Sequence, residues 1–256
     1  MKTSIVERKR GLAGVLFLAM ILPFSLRATE RGKLVEATAV STSDEAGEMP
    51  WRYLLYIPEL AEVPESGLPL LIFLHGRSLR GNDLKKLHRY GPPSFLRKRT
   101  DFPFITICPQ LPDGSWPSAG LNRFLDEVLK RYPVDKNRVC LAGVSLGAAG
   151  AWEFAGSRPE RFAALVTVCA HGPVSLAPKL NQLPIRAFHG AKDDIVPLAP
   201  HQALVEAINQ AGGNAILKIY PEGDHGNIIV PVFSDEELYQ WMLAQRAAAK
   251  EAPRSE

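Results

Sequence analysis

Cysteine is scarce in this chain: Cys108, Cys140 and Cys169 are the only three among 256 residues. The count is odd and each thiol falls in a stretch that reads as a buried strand, which argues against a disulfide framework even in an exported protein. No Cys/His spacing gathers a zinc site. An excess of positive charge is also missing once its source is located. The formal net charge of +3 rests on the first 28 residues, where Lys2, Arg8, Lys9, Arg10 and Arg27 face a single acid, Glu7. The remainder holds 25 bases against 26 acids, so no basic face for nucleic acid is implied. The apolar run near the N-terminus, residues 11–26, falls short of a comfortable membrane span. Internal repeats and a second domain are absent.

What is present begins with a basic stretch ending at Arg10, followed by that apolar run. Residues 1–28 read as a secretory signal peptide, with the small-residue rule putting cleavage after Ala28. Leu26 is a poor residue three positions back, which leaves an uncleaved membrane anchor as the alternative. The destination is accordingly secreted or periplasmic, or membrane-anchored if the segment stays. Contact with a membrane is expected only in that second case. Residues 29–50 are polar and read as a spacer or an irregular first strand, residues 51–249 as one folded domain, and residues 250–256 as a tail.

Along that domain, apolar β-prone runs alternate with helical spacing. Trp51–Pro58, Leu68–His75, Phe104–Cys108, Val139–Ala142, Ala164–Cys169, Ile185–His189 and Ala215–Tyr220 read as strands. Several are continuous apolar runs of the kind buried on both faces of a parallel sheet. Leu84–Arg99 is basic and partly helical, broken at Gly91-Pro92-Pro93. Ser118–Arg131 carries Leu121, Phe124, Leu125, Val128 and Leu129 at helical spacing with Ser118 as N-cap; a helix over 199–211 closes at Gly212-Gly213; Ser234 caps a final helix reaching about Ala249. The alternation predicts an α/β fold with a mostly parallel central sheet flanked by helices on both faces.

The chemistry concentrates at Arg138–Trp152, RVCLAGVSLGAAGAW, which reads as strand, tight turn, helix. In a G-x-S-x-G elbow the serine occupies a strained turn, and small neighbours let the strand and helix backbones approach. Ser145 would then stand at a helix N-terminus, where developing negative charge is favoured. A serine hydroxyl needs a base, and the base needs a group that fixes its tautomer. In this architecture the order is serine, acid, histidine. Asp193 follows the strand Ile185–His189, and His225 follows the strand Ala215–Tyr220, so both occupy the expected loops. The two oxyanion donors should be the backbone N–H groups of Leu146 and Arg77. The Arg77 side chain either adds local positive charge or points to solvent. His75 reads as a structural residue at a strand end, and Trp116 and His171 either as candidates for the substrate pocket or as core or loop packing residues.

With these residues in place, the sequence resembles the single-domain α/β-hydrolase esterases of the phospholipase/carboxylesterase and polyhydroxybutyrate-depolymerase-like group, relatives of feruloyl, acetylxylan and dienelactone-hydrolase-like proteins. The resemblance is strongest in PLLIFLHGRSLRGNDLKKLHRYGPP through ITICPQ and in YPVDKNRVCLAGVSLGAAGAW through SRPERFAALV. The H-G-x-x-D-x-x-V-P pattern falls on His189, Gly190, Asp193, Val196 and Pro197, which favours Asp193 over Asp194 as the acid. Two departures are Ala148, where relatives place a second glycine, and Arg77-Ser78-Leu79-Arg80-Gly81, where they place a smaller loop. The resemblance implies a serine esterase with no cofactor and no metal, acting on a small-molecule or polymer-linked ester. Alternatives are a prolyl-oligopeptidase-type peptidase, whose added propeller or lid has no counterpart here, and a non-catalytic hydrolase-fold binder. Only a short proline-containing segment separates Cys169 from Ile185, so no cap domain is expected. The loops 77–83 and 109–117 are expected to wall an open site.

Overall fold

The computed structural model describes residues 31–39, 50–59 and 62–248. The signal-peptide and tail readings therefore lie outside the described residues, as does most of the spacer. Among the described residues, no helix is long and apolar enough to cross a membrane.

Among the described residues, eight strands form one sheet: β1 (Leu34–Thr38), β2 (Arg52–Tyr56), β3 (Leu68–Leu74), β4 (Ile105–Pro109), β5 (Val134–Val144), β6 (Ala164–Val168), β7 (Ile185–Gly190) and β8 (Ala215–Tyr220). Their order is β1-β2-β4-β3-β5-β6-β7-β8. β1 and β2 run antiparallel to their neighbours, and every pairing from β4 to β8 is parallel. The helices are α1 (Pro92–Leu96), α2 (Ser118–Arg131), α3 (Leu146–Ser157), α4 (Ala177–Leu180), α5 (Leu198–Gln210), α6 (Ile229–Phe233) and α7 (Glu236–Ala244). This is the α/β-hydrolase fold.

The period of two along each strand builds two cores. On β3, Leu68, Leu70, Ile72 and Leu74 face one layer; on β5, Val139 and Leu141 join them, against Leu121, Phe124 and Leu125 of α2, Trp152 of α3, and Leu204 and Ile208 of α5. Leu71 and Phe73 of β3, with Cys140, Ala142 and Val144 of β5, face the other layer, against Phe102, Phe233, Tyr239 and Met242. Buried on both faces, β3 has no exposed residue, which is why its sequence shows no polar alternation. The edge strand β8 alternates instead, with Ala215 buried and Ile216 exposed.

Three differences from the sequence expectation bear on how the elements start and stop. The sheet begins at β1, inside the stretch read as a spacer or an irregular first strand, and the second of these holds because Leu34–Thr38 pairs along β2; the domain therefore starts upstream of Trp51. Helix α2 spans the expected residues, but Pro117 is its N-cap and Ser118 its first helical residue. Helix α7 is capped by Asp235, whose carboxylate accepts from the Glu237 N–H, and it ends at Ala244. Asp235 is followed by Glu236 and Glu237 in the first turn, where negative charge meets the positive end of the helix dipole. Ser234 instead closes α6.

Cys108, Cys140 and Cys169 are all buried and free. Cys169 sits one residue past β6, not within it, in a left-handed conformation with φ 55°. Burial pushes the Cys140 and Cys169 thiols up to about 12 and Cys108 well above the ordinary thiol range, so the native thiols are un-ionised at neutral pH and slow to react. Titration under denaturing, non-reducing conditions is expected to return three thiols. A return of one would show a disulfide and overturn this.

Candidate active site

The parallel strands end on one edge of the sheet, where loops collect in the crevice at the strand carboxyl ends. Ser145 lies between β5 and α3 with φ 53° and ψ −121°, a conformation that costs a non-glycine residue about 1–3 kcal/mol. The flanking glycines make the turn sterically possible. A Cβ on Gly143 would stand 2.4 Å from the Gly147 carbonyl oxygen, and one on Gly147 only 2.0 Å from the Leu74 carbonyl oxygen. Strand β3, strand β5 and helix α3 thus meet backbone to backbone at the elbow, and the Ser145 N–H is tied to the Val168 carbonyl at 2.8 Å.

His225 Nε2 stands 2.9 Å from Ser145 Oγ, and His225 Nδ1 stands 2.8 Å from Asp193 Oδ2. The three groups that the sequence assigns to separate loops form one hydrogen-bonded line. The Asp193 side chain is fully buried and that of His225 is 15% exposed. Burial alone would raise the Asp193 carboxyl. The N–H groups of Val196 (2.8 Å) and Ile195 (3.0 Å) on Oδ1, together with His225 on Oδ2, nevertheless hold it below the usual carboxylate range. Asp194, by contrast, is exposed. A carboxylate that stays charged beside Nδ1 selects the tautomer with a bare Nε2, the form able to take the Ser145 proton.

The approach of the acid and histidine loops also has a backbone cause. A Cβ at Gly190 would meet the Gly223 carbonyl oxygen at 2.4 Å. Asp224 staples the histidine loop: its Oδ1 accepts from the N–H groups of Gly226 (2.8 Å) and Asn227 (2.7 Å). These bonds hold the exposed Asp224 carboxyl low. The Asp-x-x-Asn spacing of 224–227 is the sequence signal for this turn.

Leu146 and Arg77 both line the cleft. Leu146 opens α3, so its N–H has no acceptor within the helix, and Arg77 opens a tight helical turn over Arg77–Leu79. The Arg77 side chain is exposed. The larger loop that departs from the family pattern is anchored by buried Leu79, by Gln110 Nε2 donating to the carbonyls of Leu79 (2.8 Å) and Asp83 (2.9 Å), and by an Arg80–Asp113 ion pair at 2.9 Å. Sequence reading missed Tyr90, whose hydroxyl accepts the Gly76 N–H at 2.9 Å and which lines the same cleft. The RYGPP segment that carries it gave no periodic signal.

His171 lines the cleft, as expected. Trp116 does not. It is 3% exposed, stacked on Trp51 at 5.8 Å, packed against Gly150 and bonded through Nε1–H to the His75 carbonyl at 3.2 Å. The absence of a side chain at Gly150 lets the indole sink between α3 and β3, which makes Trp116 a packing residue. The loop 109–117 accordingly leaves the cleft wall and borders a separate pocket of about 300 Å³ with Trp51 and Gly81. The far wall of the cleft is built by Ile195, Val196, Gly226 and Ile229. Between β6 and β7, the turn Val174–Leu176 and α4 bury Ala177 and Leu180 in the α3/α5 core, so this segment packs against the body of the fold and not over the cleft.

Cys169, Asp193 and His225 present three ligand-capable atoms within 4.8 Å of one another. The thiol stays protonated at neutral pH, and the carboxylate and imidazole are engaged with each other and with Ser145. The set fits an acid–base line better than a metal.

His75 is structural. Nδ1 bonds the Gly76 carbonyl at 2.7 Å and Nε2 accepts the Leu111 N–H at 3.0 Å. Burial lowers His75 to about 4 and His201, on α5, to about 3. The unfolded chain protonates these residues near pH 6.5, so between that pH and their folded values the unfolded state binds more protons. Stability then rises with pH through the window. The melting temperature is expected to fall as the pH is lowered from 7 to 4, and unfolding at pH 5 should take up protons; unfolding without proton uptake at that pH would contradict the assignment.

Residues 113–235, just under half of the chain and including Ser145, Asp193 and His225, match the dienelactone hydrolase family. Comparison with the curated proteins finds no match. Among solved structures, a thermostable esterase superposes with a TM-score of 0.71 at 24% identity over 85% of this chain, which spans 64% of that esterase. A ferulic acid esterase gives 0.59 at 16% identity, with 82% of this chain and 96% of that one covered. An S-formylglutathione hydrolase from Agrobacterium tumefaciens gives 0.61 at 16% identity, with 84% and 96% covered. The chain thus has the α/β-hydrolase fold, and its residues 113–235 are similar to the dienelactone hydrolase family.

Proposed function

We propose that the chain is an exported serine esterase that cleaves carboxylic esters through an acyl-enzyme. The observation that carries this reading is the unbroken line from Ser145 Oγ to His225 to Asp193, at 2.9 and 2.8 Å, opening into a cleft of about 860 Å³. Ser145 attacks the ester carbonyl while His225 takes its proton, and the oxyanion leans on the N–H groups of Leu146 and Arg77. His225 returns the proton to the leaving alcohol, and a water molecule then repeats the sequence on the acyl-enzyme. Export rests on the basic-then-apolar pattern of residues 1–28.

The cleft favours a short acyl or aryl-acyl group on a bulky alcohol, including a carbohydrate chain. Ile195, Val196 and Ile229 supply apolar contact near Ser145, but Ile195 is itself 67% exposed, and among the described residues no inserted cap covers the mouth. Each additional methylene contributes about 0.8 kcal/mol only where a wall covers it. For 4-nitrophenyl esters of increasing length, kcat/KM is expected to peak among short acyl groups, with methyl ferulate also hydrolysed. A maximum at long chains, or activation at an oil–water interface, would favour a lipase instead. Reaction with a fluorophosphonate probe separates an enzyme from a non-catalytic binder.

A further inference from the structure

Behind Asp193 lies a buried chain of polar groups that the acyl-transfer steps do not use. His189, at the end of β7, and His201, on the first turns of α5, are both fully buried. Their Nδ1 atoms are 2.9 Å apart. His189 Nε2 is 2.9 Å from the Val196 carbonyl oxygen and 3.3 Å from Asp193 Oδ2, while His201 Nε2 is 3.4 Å from Thr167 Oγ1 on β6. Trp152 closes the side of the pair, edge-on to His201 at 5.9 Å.

These contacts fix every proton. A carbonyl oxygen only accepts, so His189 Nε2 carries a hydrogen. Burial lowers both imidazoles, so both are neutral near pH 7, and each carries one N–H. His189 Nδ1 is therefore bare and must accept, which makes His201 Nδ1 the donor. His201 Nε2 is then bare and accepts from the Thr167 hydroxyl. The chain runs in one direction, Thr167 to His201 to His189, and ends with an N–H edge turned toward the Val196 carbonyl and the Asp193 carboxylate.

We propose that His201 is a positioning residue for the active-site acid: by donating to His189 Nδ1 it holds the ring so that the Nε2–H stays on the Val196 carbonyl and the Asp193 carboxylate. This rests on the esterase reading only for its kinetic consequence. Without the His201 donor, His189 Nδ1 is buried with no partner and the ring loses the contact that fixes its orientation. The Nε2–H then shifts from its two acceptors, at 2.9 and 3.3 Å here, which loosens the acid loop at Val196 and leaves the charge of the Asp193 carboxylate less compensated. Sequence reading placed His189 in the H-G-x-x-D motif, and His201 was invisible there because it lies four residues past Pro197, on a helix.

Two measurements test the proposal. In the wild-type protein, long-range ¹⁵N–¹H NMR should report His189 as the Nε2–H tautomer and His201 as the Nδ1–H tautomer between pH 6 and 8. The opposite tautomer at either residue overturns it, whether or not the protein hydrolyses esters. In variants, His201→Leu removes the donor, and His201→Asn keeps an N–H close to the Nδ1 position. The leucine variant is expected to lose on the order of 10-fold in kcat, by analogy with the lower end of what hydrogen-bond partners of metal ligands contribute, with KM little changed.

Its kcat/KM profile should also shift on the acid limb toward higher pH, because a less compensated Asp193 carboxylate stabilises the His225 imidazolium. The asparagine variant should recover most of both effects. The other ionisable groups around this hub are Cys169 and His171 beyond β6 and Asp224 in the histidine loop; all are unchanged in the variants. A folded His201→Leu protein with wild-type kcat and an unmoved limb overturns the proposal, as does a loss that asparagine does not rescue. Should His201→Leu fail to fold, the NMR tautomers and the asparagine profile decide. Absence of esterase activity in the wild type would count against the esterase reading, and the tautomers would still judge the positioning role.

Discussion

Ser145→Ala is expected to lower kcat for ester hydrolysis by on the order of 10⁶ and to abolish labelling by a fluorophosphonate, with the melting temperature nearly unchanged. The hydroxyl makes one side-chain contact of consequence, with His225 Nε2 at 2.9 Å, and no hydrogen bond of the Ser145 side chain caps α3. Its removal therefore leaves the packing of the elbow to Gly143 and Gly147, which the substitution does not touch. Alanine at φ 53° bears the same backbone strain as serine, since both carry a Cβ. The size of the loss follows from the chemistry: without an attacking oxygen, the imidazole and the oxyanion donors have nothing to act on. What remains should be the small rate that binding and charge stabilisation lend to direct attack by water. Retention of more than a few per cent of activity would move the nucleophile elsewhere, and an unfolded variant would show that the hydroxyl holds the turn.

Much of this was legible in the sequence because the relevant constraints are local. The strands of the central sheet are continuous apolar runs, and Leu121, Phe124, Leu125 and Val128 mark the buried face of α2 by spacing alone. The elbow declares itself through two glycines that no other residue can replace at those separations. The histidine and acid loops follow from strand order, since each strand end delivers its loop to the same edge. Features that depend on a distant partner were hidden. Strand β1 lies in a polar stretch that reads equally as a spacer or an irregular strand, and only its pairing with β2 decides between them. Trp116 was open between pocket and packing, and Gly150, 34 positions away, decides for packing by providing the space that buries it. Tyr90 reaches Gly76 across 14 residues, and the His189–His201 contact joins a strand end to a helix across an irregular loop. None of these has a period or a motif in the chain.

Asp193→Asn should cost roughly 10⁴ in kcat, the loss seen when a triad acid is replaced by its amide in a serine protease, whereas Asp194→Asn should leave kcat within about twofold. The two neighbours differ in burial and in partners. The Asp193 side chain is fully buried and faces His225 Nδ1 at 2.8 Å; Asp194 is exposed. An asparagine at 193 can keep its carbonyl oxygen on the N–H groups of Ile195 and Val196, so the loop should hold its shape. Its NH₂ group then meets His225 Nδ1 where a carboxylate oxygen stood. The imidazole satisfies that donor by presenting a bare Nδ1 and moving its hydrogen to Nε2, which leaves no lone pair for the Ser145 proton. The loss should therefore appear in kcat at nearly constant KM. Combining Asp193→Asn with Ser145→Ala should cost no more than Ser145→Ala alone, because the acid acts only through a histidine that has lost its nucleophile. The reverse ranking of the two aspartates would place the acid one residue later, and additive losses in the double variant would show that Asp193 contributes by a route other than His225.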